Sequence, residues 1–106
     1  MTDDSPIALK VACPDTDIAR TIASAAVGAG LAACGNIIPG VESVFQWQGK
    51  VERESEVLLW LTTRTSCLDR LVPLIRKHHP YDLPAITWSI TGAEPETADW
   101  IKQTTR

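Results

Sequence analysis

Sulfur-ligation motifs are missing from these 106 residues: Cys13, Cys34 and Cys67 are odd in number, far apart and never in C-x-x-C spacing. That excludes a disulfide framework and a zinc-finger cage, and leaves each cysteine first of all a small buried hydrophobe. No cluster of Lys or Arg is present, and ten basic against thirteen acidic residues give a net charge of -3, so no nucleic-acid partner is expected. No apolar run approaches the length of a membrane span, and no membrane partner is expected. The opening Met1-Thr2-Asp3-Asp4-Ser5 is acidic where a secretory leader is basic and then apolar, so the expected compartment is the cytoplasm. A Gly-rich phosphate cradle is absent, as are repeats, linkers and low-complexity runs. One domain over residues 1–106 is expected, with residues 1–5 as a loose tail.

What is present alternates. Ile7, Leu9, Val11 and Cys13 interleave with Ala8, Lys10 and Ala12, the period of a strand with one face on a core, and Pro14-Asp15 stops it. Asp15 or Thr16 then caps a helix whose stripe is Ile18, Ile22, Ala26 and Ala29, and Gly28 with Gly30 marks its end. A second extended segment starts at Leu31, breaks at Pro39-Gly40 and resumes through Val41, Ser43, Phe45 and Trp47. Gly49-Lys50 reads as a hairpin turn. The return strand, Val51 to Thr63, contains Val57-Leu58-Leu59-Trp60-Leu61, apolar on both faces and so requiring cover on both.

Ser66 with Asp69 resembles a capping box for a second helix carrying Leu68, Leu71, Leu74 and Ile75 toward the sheet. Pro73 inside it costs about 3 kcal/mol in a regular helix and predicts a kink or a late start. Leu83-Pro84 leads into a last strand with Ile86, Trp88 and Ile90, and Glu94 to Thr104 forms a short helix with Trp100 and Ile101 inward. This order is the split βαβ: an α+β, ferredoxin-like βαββαβ fold with an antiparallel sheet and a short C-terminal helix. Both helices fall on one sheet face, the other is left bare, and a homo-oligomer follows. The hairpin from about Leu31 to Thr63 is longer than such a sheet needs and provides an arm for pairing between copies.

The two histidines are adjacent, in His78-His79-Pro80-Tyr81. Imidazole together with the strand-end thiol of Cys13 is a donor set that copper and zinc favour, although two vicinal histidines on an exposed helix end look the same in sequence. Neighbours on a helix diverge by about 100°, so both histidines reach one ion only if the helix has ended near Lys77. Pro80 favours that ending.

Five segments in order carry a resemblance to the CutA divalent-cation-tolerance family: Val11-Ala-Cys-Pro-Asp15, Leu31-Ala-Ala-Cys34 with Asn36-Ile-Ile-Pro-Gly40, Trp47-Gln-Gly-Lys50, Ser55-Glu-Val57 and His78-His-Pro-Tyr81. The resemblance spans about Val11 to Trp100. It implies a tight homotrimer similar to PII-like signalling proteins, with arms pairing between subunits and clefts at their boundaries. By the same resemblance Cys13, His78 and His79 are the candidate metal ligands for copper or another divalent cation, His79 foremost, and Trp47, Glu56, Tyr81 and Asp82 are cleft residues. Asp82 replaces the family's usual glutamate. Thr62-Thr63 stands where relatives commonly have Lys-Thr, which implies a cleft that has lost a cation, and Trp88-Ser89 replaces an aliphatic residue and a proline.

Three functions follow as expectations. The first is divalent metal binding and metal tolerance; the second is a PII-like module whose intersubunit clefts take a small ligand or a partner. The third, a Cys13–His79 nucleophile pair oriented by Glu56, lacks any mark of an oxyanion hole, and the chain is expected not to be an enzyme.

Overall fold

Alternation in the first strand is realised as β1, Pro6–Cys13: Ile7, Leu9, Val11 and Cys13 are buried, and the residues between them are not. The computed structural model describes residues 4–106. After β1 come α1 (Thr16–Gly28), β2 (Cys34–Trp47), β3 (Lys50–Arg64), a 3-10 turn (Thr65–Cys67), α2 (Leu68–His78), β4 (Thr87–Ile90) and α3 (Pro95–Thr104). The sheet order is β2-β3-β1-β4 with every neighbouring pair antiparallel, the ferredoxin-like arrangement expected from the element order.

Local chemistry explains where the elements begin and end. Asp15 Oδ1 accepts the Ile18 N–H at 2.8 Å and caps α1. At its other end the Gly30 N–H bonds Val27 O and the Leu31 N–H bonds Ala26 O, a Schellman closure that needs the positive φ of Gly30. Helix α2 starts at Leu68 and keeps Pro73 in its interior, so the late start that Pro73 allowed is not made, and no Ser66–Asp69 box forms. Instead the Ser66 N–H and hydroxyl both bond the Asp4 carboxylate, at 2.9 and 3.0 Å. Asp4 also pairs with Arg64 at 2.7 Å, and Ser5 O accepts the Thr65 N–H, so these two residues of the expected tail are tied to the fold. Residues 1–3 lie outside the described residues. In α3 only Ile101 points inward; Trp100, one position and about 100° away, is exposed, contrary to expectation.

Strand β1 ends with Cys13 opposite Val57, and from there β2 and β3 pair with each other alone out to the turn. That free length is the arm. The turn itself is Gln48-Gly49, one residue earlier than the sequence reading, with both residues at positive φ as a type I′ hairpin turn requires. Pro39-Gly40 forms the expected interruption, a bulge between Ile38 and Val41.

Leu59, Leu61 and Thr63 of β3 are wholly enclosed beneath the helices, whereas Leu58, Trp60 and the neighbouring Ile38 on the opposite face keep half-buried or exposed side chains. Trp88 and Ile90 stand opposite Leu9 and Ile7, on the helix side, yet remain exposed on the edge strand. Close packing is tightest at Gly35, where an added Cβ would lie 2.9 Å from Ala23 Cβ and 3.3 Å from Leu61 Cδ2. Gly35→Ala is therefore expected to lower stability by about 1–3 kcal/mol in denaturant unfolding. An unchanged midpoint would show that α1 can lift from β2 at no cost.

Candidate functional site

The site begins with a missing rung. Strand β4 reaches β1 only over Ile7 to Lys10, and Pro6 O accepts the Thr91 N–H on that side. Residues two apart present their backbone groups to the same neighbour, so the Ala12 carbonyl also faces the β4 side, where no strand remains. His79 takes the vacant place, with Nε2 2.9 Å from Ala12 O. A carbonyl only accepts, so Nε2 carries the proton and Nδ1 accepts the Tyr81 N–H at 3.2 Å. Both ring nitrogens are thereby engaged.

Tyr81 continues the chain of contacts. Its ring lies 4.7 Å from that of His79, and its hydroxyl donates to Glu56 Oε2 at 2.8 Å. Burial, then the hydrogen bond to Glu56 and the charges of Glu56 and Glu54, push the phenol well above its usual range. Cys13 lies beside this group but on the helix-facing parity of β1, with no exposed surface. Burial first, then the charges of Glu56 and Asp15, push its thiol up to about 11. A protonated, enclosed thiol is a poor metal ligand.

The three candidate ligands from the sequence thus have other placements. Cys13 is sealed in the core, His79 is buried as a strut between β1 and the α2–β4 loop, and His78 is the last residue of α2, half-buried on the helix. The helix continues one residue beyond Lys77, so the two histidines do not leave it together. Among the described residues no three His, Cys, Asp or Glu side chains group closely enough to hold a metal ion.

The four cleft residues do share one space. Trp47, Glu56, Tyr81 and Asp82 line a cleft of about 800 Å³ between the arm and the α2–β4 loop. Phe45 and Ser43 of β2 join the wall, and Leu83, Pro84 and Ala85 form the loop side. Glu52 and Glu54, which the sequence reading passed over, complete a line of acids with Glu56 at every second residue of β3. The period-two spacing Glu52-x-Glu54-x-Glu56 on a strand was the signal that could have found them. Among the described residues no Lys or Arg side chain lines the cleft. Thr62 does not line it either, being set between Ala8 and Cys34 in the sheet, so the expected loss of a cation at that position falls elsewhere.

Residues 7–104 match the family model described as CutA1 divalent ion tolerance protein. The divalent-cation tolerance protein CutA of Thermus thermophilus is 38% identical over 96 residues, covering 90% of this chain and 93% of the relative. A chloroplastic CutA protein of Arabidopsis thaliana is 41% identical over 101 residues, covering 94% of this chain and 56% of the relative. The chain spans about half the length of the plant and mouse relatives it matches. Among solved structures, the Thermus thermophilus divalent cation tolerance protein superposes with a TM-score of 0.92 at 36% identity, over 95% of this chain and 99% of that one. CutA1 from Oryza sativa gives 0.91 at 37% identity, over 96% and 94%.

Removing the strut orphans the Ala12 carbonyl and the Tyr81 N–H. His79→Ala is expected to destabilise the metal-free protein by about 1–3 kcal/mol for each group left buried and unpaired, measured by denaturant unfolding. A metal-free variant as stable as wild type would remove the strut role. For Cys13 the folded protein holds the proton from the ordinary thiol value of 9.0 up to about 11, while the unfolded chain releases it. Relative to Cys13→Ala, wild-type stability should fall across that window and level off above it; a pH-independent difference contradicts the assignment. Below the window, a thiol reagent should modify only half-buried Cys34 quickly in the native protein.

Proposed function

The chain belongs to the CutA1 divalent ion tolerance family, and on that footing we propose that it binds a divalent cation, copper among the candidates, without turning over a substrate, at clefts completed by assembly into a homotrimer. One observation carries the reading: the cleft gathers Glu52, Glu54, Glu56 and Asp82 with no basic side chain among its lining residues. Glu56 is the fixed member. Its Oε2 is held by Tyr81, and the side chain is only 8% exposed.

One fixed carboxylate does not make a coordination shell, since divalent ions take four or more donors. The remainder would come from water and from a neighbouring copy. Assembly has its own driving force in Leu58, Trp60 and Ile38 on the bare sheet face and Val44 and Val51 on the arm. Burying such side chains contributes roughly 1.5–3 kcal/mol each. Copper has a softer alternative in Cys13 and His79, favoured by ligand type. Taking it would break the His79 bonds to Ala12 and Tyr81 and expose an enclosed thiol.

Titration calorimetry with Cu(II), Zn(II) and Mg(II) separates these arrangements. The cleft reading expects binding that Glu56→Gln weakens and Cys13→Ser leaves unchanged, with no thiolate-to-copper charge-transfer band. A strong band lost in Cys13→Ser would move the site to Cys13 and His79, and absence of binding by every ion would defeat the metal reading. Light scattering should give three times the 11.6 kDa of one chain. A mass of a single chain would defeat the trimer.

A further inference from the structure

Among the described residues two that are not glycine hold positive φ, Gln48 at 51° and Ala85 at 49°. The hairpin turn demands the first. No element demands the second, because residues 84–86 lie outside every turn, helix and strand. A left-handed alanine crowds its Cβ against the following carbonyl oxygen, so the conformation persists only where the surroundings impose it.

Those surroundings are uneven. Up to Asp82 the α2–β4 loop is bolted down: His79 is bonded to Ala12 and Tyr81, Tyr81 to Glu56, and Arg76 Nη2 donates to Asp82 O at 3.2 Å. At Ile86 the chain packs on the core again before entering β4. Between these anchors the backbone of Leu83, Pro84 and Ala85 makes no hydrogen bond to other backbone among the described residues. Segments of that kind are where a fold opens first.

Burial in the same stretch is inverted. Pro84 is buried, whereas Leu83 beside it is 60% exposed, and both line the cleft. Phe45 and Trp47, which line the arm side of that space, are exposed as well. Three large apolar side chains therefore border one open volume without cover.

We propose that Leu83–Ala85 is a lid over the cleft, hinged at Ala85 and able to occupy two positions. In the open position, the one in the structure, Pro84 is buried and Ala85 is strained. In the closed position Ala85 relaxes to negative φ, Pro84 leaves its site and Leu83 lies on Phe45 and Trp47. Relief of strain and burial of Leu83 favour closure, and the enclosed proline ring opposes it. Two discrete packings set against each other make a switch, not a loose end. The lid controls access to the cleft and takes its purpose from the proposed function, but its motion requires no bound ion.

The test is fluorine NMR of the ligand-free full chain carrying fluorotryptophan, with the Trp47 signal assigned by Trp47→Phe. Ala85→Gly removes the strain of the open position and should lower the closed fraction at least about fivefold. Leu83→Ala removes the closing contact and should move the Trp47 signal in the same direction. Both positions are exposed, so both variants should fold. Ala85→Pro, which fixes φ near about −65°, should move the signal the opposite way. A Trp47 signal that Ala85→Gly and Leu83→Ala leave in place, or move in opposite directions, overturns the lid. An unmoved signal in a protein that binds divalent ions defeats the lid alone; a signal that moves as expected in a protein that binds none leaves the lid standing and removes the metal reading.

Discussion

The short reach of β4 is the constraint on which the site depends. Four residues of β4 leave the Ala12 carbonyl on an open sheet edge, and a buried carbonyl without a partner costs as much as a lost hydrogen bond. His79 meets that need from outside the sheet. Doing so fixes its tautomer, its tautomer leaves Nδ1 to accept Tyr81 N–H, and Tyr81 thus placed reaches Glu56 across to the arm. The loop side of the cleft is therefore set by backbone satisfaction in β1, three contacts away.

The same chain of contacts explains why the thiol beside it is chemically quiet. Cys13 ends β1 on the parity that faces α1, among Ala19, Val57 and the rest of the core, and Glu56 on the adjoining strand adds a negative charge nearby. Burial and like charge both favour the neutral form. An activated cysteine needs the reverse, a cation or a helix N-terminus and some access to solvent. The sulfur that the sequence suggests as a ligand is thus a protonated thiol enclosed in the core, and the imidazole suggested beside it already has protein partners at both nitrogens.

Periodicity made the fold legible. Alternation in β1, the stripe of α1, the break at Pro39-Gly40 and the two-faced run Val57–Leu61 each have one geometric reading, and their order leaves one topology. Misreadings arose where the deciding partner was remote in sequence. Ser66 has the form of a capping residue, but Asp4, sixty-two positions away, competes for it. Trp100 reads as core until its neighbour Ile101 takes the inward position. His79 meets the same limit of local pattern, because imidazole beside proline looks alike whether its nitrogens await an ion or are already satisfied. Only the register of β4 against β1 distinguishes the two, and no local pattern encodes where a strand four residues long will stop.

Strand β3 joins the two environments of the molecule. Its odd-numbered residues from Val57 to Thr63 lie under the helices, while its even-numbered residues run without interruption from Trp60 and Leu58 on the bare sheet face to Glu56, Glu54 and Glu52 in the cleft. Apolar character gives way to acidic character where β1 ends and the arm begins. Any surface that covers Leu58 and Trp60 must end against Glu56, and it then borders the cleft whatever else it does. Burial of the bare face and completion of the cleft are for that reason one geometric problem: a mutation that alters how Trp60 is covered changes the wall beside Glu56, and one that displaces Glu56 changes the rim of the covered face.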